Sequence, residues 1–373
     1  MKKILMIAAM LLTCAQVAWS YDDSDFEYDN FAYFVEEDGT VTLVSNYYSR
    51  TCSGPVDIPD RVLNKGRYYT VTAIRNAFYR NENITAVTFG KNIRNIDEYS
   101  FYSCKGLTGM LTIPEGVTNI GKWAFAGCRG LTGVRIPKTL TSMGNYAFYD
   151  CEGLTAVYIT DFAAWCRLHF FSSQDNPLGF AHHLYLNGTE LQKLEIPDDI
   201  TDISDYAFFE CTSVQSMSTG DGVDTIGYRS FWYCSNLRSI TLGKNVKYIK
   251  DDAFYKTALT ELYCYPKKAP ILEDNGVFEG FDIYSVTCHV PKGCIDNYNK
   301  AYPWYWFNLV DDLEAPADGD VNCDGRVNVS DVSALINMIM GITAMNQAAA
   351  DVNGDGRVNV SDVSALINII LGV

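Results

Sequence analysis

Twelve residues beginning at Asp320, DVNCDGRVNVSD, place oxygen-bearing groups at the spacing of a cation loop. Asp320, Asn322, Asp324, Asn328 and Asp331 fall at loop positions 1, 3, 5, 9 and 12, and Arg326 offers its backbone carbonyl at position 7. A hard cation takes about six to eight oxygens, and Gly325 at position 6 permits the sharp turn such a loop needs. The same set recurs 31 residues later (351 − 320 = 31) as Asp351, Asn353, Asp355, Arg357, Asn359 and Asp362, with Gly356 at the turn. The spacing therefore predicts two bound Ca2+ ions, one per loop. Three carboxylates per loop repel one another without a cation, so an empty loop should be loose. Position 12 is Asp where the common calcium loop has Glu, which requires the following helix to sit closer. A metal-free Asp/Asn/Gly turn is the alternative, and recurrence of the whole ligand set argues against it.

Other chemistry is sparse. The four histidines are His169, His182, His183 and His289. None lies in a zinc-protease motif, and no G-x-S-x-G elbow occurs. The adjacent His182 and His183 read as solvated surface residues. Paired carboxylates that cleave glycosides leave no sequence signature, but the short repeats described next offer no deep cleft, so no catalytic residue and no enzyme activity is expected.

The loops need elements to position them. Each is followed by an apolar-periodic stretch, VSALINMIM or VSALINIIL, in which Leu335, Ile336, Ile339 and Leu366, Ile367, Ile370 mark helix faces; no helical pattern precedes either loop. The two 22-residue copies differ at three positions: Cys323 against Gly354, Met338 against Ile369, and Met340 against Leu371. Upstream lies a second repeat. Phe78, Phe101, Phe125, Phe148, Phe208, Phe231 and Phe254 are separated by 23, 24, 23, 60, 23 and 23 residues. Apolar residues recur eight and five positions before each Phe from Phe101 on, and an alternating L-T-x-V-x-I segment follows, which predicts a short half-buried strand with a bend at its start. Such a unit cannot bury its apolar side alone, so the units must stack. LQKLEIP (191–197) matches LTGVRIP (131–137), which puts Tyr185 at the Phe position of a unit that has swallowed 14 residues, roughly DFAAWCRLHFFSSQDNPLGF (161–180). That insertion is either a functional loop or a packed bulge around Trp165, Phe170 and Phe171.

Cys104, Cys128, Cys151, Cys211 and Cys234 each lie three residues after a repeat Phe. Stacked in register, their parallel Cβ vectors suit a buried thiol ladder better than disulfides; disulfide or metal chemistry is the alternative. The residue after the Phe is aromatic in Tyr79, Tyr102, Tyr149, Phe209, Trp232 and Tyr255, and Ala126 breaks the row. This stripe either stacks on a ligand's sugar rings or aromatic side chains, or seals the edge of the core.

The chain opens with Lys2, Lys3 and the apolar run ILMIAAMLL, and small residues Ala18 and Ser20 predict signal-peptide cleavage after Ser20. A lipoprotein anchor at Cys14 is the rival reading. Residues 1–20 hold two of the 29 Lys+Arg and none of the 45 Asp+Glu, so the processed charge is 27 − 45 = −18. Nucleic acid and anionic membrane both require a basic face, which this composition lacks. No later apolar run is long enough for a transmembrane segment. Eleven cysteines would remain after cleavage, so at least one is unpaired within the monomer.

The units quoted, with AFAGC at their centre and LTGVRIP at their end, resemble the BspA-type leucine-rich repeats of bacterial surface proteins over residues 30–313. The resemblance implies a right-handed, β-rich leucine-rich repeat solenoid that binds an extracellular protein or glycan and carries no chemistry. The doubled ending resembles a type I dockerin, a small all-α calcium-binding module of two loop–helix units. It implies two calcium ions and a cohesin-like partner, and the near-exact copy implies two equivalent docking faces. Family contact positions fall on Val329, Ser330, Ile336, Asn337 and on Val360, Ser361, Ile367, Asn368. Ile-Asn stands where many cellulosomal dockerins carry Lys-Arg, which implies a more apolar face or an intramolecular partner. The expected organisation is a signal peptide (1–20), a strand-rich cap (21–70), repeats (71–265, insertion about 160–180), a C-terminal repeat and cap (266–313), a linker (314–319) and the dockerin (320–373). The expected function is a secreted or cell-surface, non-catalytic binding protein. The alternative is an accessory component of a polysaccharide-degrading complex, with hydrolase activity not expected.

Overall fold

The computed structural model describes residues 24–314, 319–322, 324, 326–343, 350–353 and 357–372. The expected leader with Cys14, and Cys323, Gly325, Gly354, Asp355 and Gly356, lie outside the described residues. The chain divides into two compact units, Met1–Leu154 and Thr155–Val373; each contains a segment of β-solenoid, and the second also carries the helices Val329–Ile339 and Val360–Leu371.

The first unit starts with a cap. Strands Phe26–Tyr28, Phe31–Val35 and Val41–Val44 run antiparallel, and the last pairs in parallel with Arg67–Ile74. From there the two-residue strands Asn95–Ile96, Asn119–Ile120 and Ser142–Met143 continue the sheet in parallel, one per rung. They occupy the segment five residues before each Phe and point Ile96, Ile120 and Met143 into the core. A second strand per rung follows the Phe, as in Gly109–Thr112 paired with Leu131–Ile136, and the register shift between Leu131 and Gly133 is the expected bend. In the second unit the corresponding sheets run Lys193–Glu195, Ser216–Ser218, Ser239–Leu242, Glu261–Cys264, Thr287–Pro291, Asn308–Leu313, and Asp202–Ile203, Thr225–Ile226, Tyr248–Ile249, Ile271–Leu272.

Between the two strands of a rung the backbone follows a pattern that residue types did not reveal. The residue two before the Phe is left-handed in the seven rungs that the Phe alignment gave: Asn76, Tyr99, Trp123 and Tyr146 in the first unit, Tyr206, Arg229 and Asp252 in the second, with φ from 50° to 62°. The residue two after it is also left-handed, with φ from 54° to 76° (Arg80, Ser103, Gly127, Asp150; Glu210, Tyr233, Lys256). Bulky side chains rarely adopt this conformation. Here it turns alternate N–H groups along the stack. Tyr99, Phe101 and Ser103 donate to the carbonyls of Lys122, Ala124 and Ala126, at 3.1, 2.7 and 2.6 Å. Tyr206, Phe208 and Glu210 likewise donate to Tyr228, Ser230 and Trp232. Three inter-rung hydrogen bonds therefore hold an arc that is neither helix nor strand.

The phenylalanines form the core. Phe78, Phe101, Phe125 and Phe148 stack with centroids 5.1, 5.2 and 5.3 Å apart in the first unit. Phe208, Phe231 and Phe254 stack at 5.2 and 5.4 Å in the second, and Phe278 adds a rung at 5.7 Å that the Phe alignment did not include. Each fully buried ring contributes about 1.5–3 kcal/mol. The thiols run beside the rings. Cys104, Cys128 and Cys151 are fully buried, and each Sγ donates to the carbonyl of the preceding rung's Phe at 3.0–3.2 Å. All five ladder cysteines are free.

Tyr185 does not take the Phe position. It lies on strand Leu184–Leu186, pairs with Tyr158 and stacks on its ring at 4.9 Å. The insertion replaces the missing arc with two short helices, Phe162–Arg167 and Leu178–Ala181. Trp165 Nε1 donates to the Ala207 carbonyl at 3.1 Å, and Asn176 Nδ2 to those of Tyr206 and Ala207 at 2.8 and 3.2 Å. Side chains thus meet the Ala207 carbonyl, whose counterparts Ala124 and Ala147 accept from the backbone N–H of the preceding rung's Phe. Trp165 and Phe170 are buried while Phe171 is 59% exposed. Phe171 therefore does not belong to the packed bulge.

Candidate functional site

Each calcium-type loop runs into a helix, Val329–Ile339 or Val360–Leu371. Equivalent residues of the two copies close one small core: Val321 with Val352 and Leu335 with Leu366, flanked by Val332, Val363, Ile339 and Ile370. The position-12 carboxylates are fully buried. Asp331 accepts from Asn322 N at 3.1 Å and Asn328 N at 2.8 Å, and Asp362 accepts from Asn353 N at 3.2 Å and Asn359 N at 2.8 Å. They therefore tie the first part of the loop to the helix start. Asn328 and Asn359 are helix N-caps, with Oδ1 accepting from Ser330 N and Ser361 N at 2.9 Å. The spacing alone had given them only as ligands.

This donor set fits a hard cation. A buried carboxylate met by neutral N–H groups still needs its charge balanced, and each carboxylate oxygen keeps lone pairs beyond its hydrogen bond. In the first loop Asp320 is 4% exposed and Asp324 is partly buried, its N–H donating to Asp320 Oδ1 and Asn322 Oδ1 at 3.0 and 2.8 Å. Among the described residues no three His, Cys, Asp or Glu side chains are gathered closely enough to hold a metal by themselves. A loop of this kind completes its shell with Asn oxygens and a backbone carbonyl, so the two observations are compatible. In the second loop Asp351 and Asn359 are partly buried, Asn353 and Arg357 are exposed, and Asp355 lies outside the described residues.

The positions expected to contact a partner lie on the helices' outer surface. Val329 and Val360 are 70% and 71% exposed, and Ile336 and Ile367 are 39% and 41% exposed. Ser330, Ser361 and Asn368 are exposed and Asn337 is partly buried. Two apolar patches of matching composition result.

The aromatic stripe is an interlocked surface in the first unit. Tyr79 stacks on Tyr102 at 5.1 Å and Trp123 on Tyr146 at 4.5 Å, with edge contacts from Tyr102 to Trp123 and from Trp123 to Tyr149. In the second unit Phe209, Trp232 and Tyr255 stack at 4.7 and 5.7 Å. Phe209 is buried at 8% exposure, so it is not a surface residue as the stripe required.

The histidines do not gather. His183 meets Glu190 at 2.5 Å, and His182 lies 3.6 Å from Glu210. His169 packs edge-on against Phe171. His289 lies between Asp312 and Glu261, at 2.9 and 3.1 Å, and stacks on Tyr263. Burial opposes its charged form, but hydrogen bonds to Asp312 and Glu261 outweigh this and raise its pKa. Burial pushes the thiols up as well, Cys211 to about 11 and Cys166 to about 12, so they are neutral rather than nucleophilic. No helix among the described residues is long and apolar enough to cross a membrane.

Several solved structures are similar. A leucine rich cell surface protein from Faecalibacterium prausnitzii is 16% identical, with 79% of this chain and 96% of that one covered and a TM-score of 0.32. A leucine-rich repeat protein from Eubacterium ventriosum is 17% identical, covering 73% and 77%, with a TM-score of 0.36. One from Bacteroides ovatus is 19% identical, covering 77% and 99%, with a TM-score of 0.26. No curated protein matches the chain. The dockerin type I domain model matches residues 318–371, and domains of that type bind calcium. The model of the BspA type leucine rich repeat region matches six copies over residues 72–176 and 162–284, more than half of the chain. The chain belongs to the BspA type leucine rich repeat family and carries a dockerin type I domain.

Proposed function

We propose that this is an exported, non-catalytic binding protein whose repeats present a surface to an extracellular protein or glycan, while the dockerin, loaded with two calcium ions, tethers it to a cohesin-like partner. The observation that carries this reading is the doubled loop–helix unit. Each copy joins a cation-type donor set to an exposed apolar patch, Val329 with Ile336 and Val360 with Ile367. Exposed apolar patches of this kind favour a protein partner. Loops that lose their cations should lose the helix start tied to Asp331 and Asp362, so docking should depend on calcium. The aromatic surface around Tyr79, Tyr102, Trp123 and Tyr149 supports a ligand with flat apolar faces.

The test is capture of cohesin modules by the full chain in calcium and in chelator. Binding in calcium that chelator abolishes, and that replacing Ile336 and Ile367 together by Asp removes, is the expected result. Equal binding in both buffers would sink the tethering role. Turnover of any glycan in a screen of plant and host polysaccharides would overturn the non-catalytic reading.

A further inference from the structure

The last rungs of the second unit carry a side-chain pattern that stacking does not require. Along one line of the repeat, 23 residues apart, stand Asp198, Asp221, Lys244 and Lys267; three residues further on stand Thr201, Asp224, Lys247 and Pro270. Acids give way to lysines toward the end of the stack, in a chain with 45 Asp+Glu against 29 Lys+Arg. The next position changes too. Asp202, Thr225, Tyr248 and Ile271 are paired in register across neighbouring strands, and they alternate with Ile203, Ile226 and Ile249, which are buried in the core. Tyr248 is 47% and Ile271 61% exposed. Two adjacent apolar side chains with a charged rim, at positions that earlier rungs give to Asp and Thr, have the character of a binding surface.

Both changes converge on one cleft of about 620 Å³, a volume typical of a ligand site. Its apolar wall holds Tyr248, Tyr265 and Ile271, and among the described residues four lysines line it against one carboxylate, Asp320. Lys267 is structural: it is buried, and its ammonium donates to the Asp320 carbonyl at 2.6 Å. The other three face a ligand. Lys268 is exposed and has no hydrogen bond or ion pair among the described residues. Lys244 and Lys247 meet Asp221 and Asp224 at 3.1 and 2.6 Å in largely exposed pairs, which are worth little and exchange readily for a ligand's anion. Neither Tyr248 nor Tyr265 contacts another ring among the described residues. Their faces are open, whereas those of Tyr79 and Tyr102, and of Trp123 and Tyr146, cover each other in stacked pairs.

We infer that this cleft binds an acidic glycan, a sugar chain whose uronate carboxylates meet Lys244, Lys247 and Lys268 while a ring face lies on Tyr248. A cleft lined by one sign of charge selects an anionic ligand, and the open tyrosine faces select one with flat apolar surfaces between its charges. An acidic peptide would gain its affinity by adding a strand to a sheet edge. The edge strand at this cleft, Ile271–Leu272, has only two residues and offers few backbone partners. The inference gives the glycan of the proposed binding role a charge and a place; it rests on that role and not on tethering by the dockerin.

The test is isothermal titration of the full chain, in calcium throughout, with a hyaluronan tetrasaccharide, which alternates uronate and neutral sugars, and with chitotetraose, which is uncharged. The acidic sugar should bind at least about tenfold more tightly than the neutral one, and its binding should weaken as salt rises from about 20 to about 200 mM. Lys247→Gln combined with Lys268→Glu should weaken it by about tenfold or more, and Tyr248→Ala should weaken it as well, with the thermal melt of the repeats unchanged. Equal binding of the two sugars, no binding of the acidic one at about 1 mM, equal binding of a tetraglutamate peptide, or full binding by the lysine variant would each overturn the inference. Binding that survives the lysine changes and is lost in Trp123→Ala would overturn this site while keeping a glycan-binding role for the aromatic surface of the first unit. Cohesin capture is unaffected by any of these outcomes, so the two readings fall separately.

Discussion

The ring of Phe125 lies between those of Phe101 and Phe148, nearly parallel to the first at 1° and inclined at 12° to the second. Its N–H reaches the Ala147 carbonyl at 2.8 Å, and its own carbonyl takes the Cys151 thiol at 3.2 Å. One residue therefore joins three rungs by packing and hydrogen bonding. Phe125→Ala should destabilise the first unit by about 3–5 kcal/mol, read as a shift in the urea midpoint followed by Trp123 fluorescence, and Phe125→Leu should cost less. At this scale the sequence was a good guide wherever residue type reports burial: the Phe and Cys columns were visible because spacing repeats what packing requires. It was silent on the left-handed positions. Glycine would have announced them, but Asn76, Tyr99, Trp123, Tyr146, Arg229 and Asp252 hold them instead. Their conformational cost is offset by inter-rung hydrogen bonds, which no residue code records.

Among elements, the insertion shows how a repeat survives an interruption. Asn176 is fully buried, and its Nδ2 serves the carbonyls of both Tyr206 and Ala207. Trp165 Nε1 and Phe209 N still reach these two carbonyls, so Asn176→Ala removes hydrogen bonds without stranding an acceptor and should cost about 0.5–1.5 kcal/mol per bond, with faster amide exchange across Phe162–Arg167 as the local readout. Phase counting placed Tyr185 at the Phe position because strand Lys193–Glu195 does keep the 23-residue phase with Ser216–Ser218. The extra strand Leu184–Leu186 breaks the count, being in register with Val157–Ile159 instead. The strands at the C-terminal cap have a titratable clasp: His289 on Thr287–Pro291 bridges Glu261 and Asp312 on its two neighbours. Its folded pKa is raised, so its stabilisation is complete below the ordinary value of about 6.5 and fades as pH climbs through the folded value. Amide exchange in Asn308–Leu313, corrected for intrinsic rates, should therefore be slower at about pH 5.5 than at about pH 8.5. His289→Gln should abolish that difference.

Over the whole molecule, stability comes from two sources of different kind. The repeats draw on stacked rings and inter-rung ladders that need no cofactor. The tail has a core of five fully or nearly buried residues, Val321, Leu335, Ala350, Val352 and Leu366, which is small for independent stability. Its loops carry buried Asp331 and Asp362 whose charge a cation would balance. The doubling of the loops was legible because every ligand type recurs at one offset; their unequal surroundings were not, because Lys267 lies 53 residues from its Asp320 partner. Calcium should act on the tail alone. At about 100 times its dissociation constant a bound ion adds about 2.7 kcal/mol, a gain comparable to what so small a core supplies. Chelator should lower the helical circular dichroism signal and leave the melting of the repeats in place. Asp362→Ala removes the acceptor for Asn353 N and Asn359 N, and should weaken calcium binding at the second loop while the first still titrates. Asp331→Ala should do the reverse. Identical titrations from both variants and the unsubstituted chain would show that these carboxylates do not hold the ions. A repeat melt that fell with chelation would show that the tail and the stack are one cooperative body.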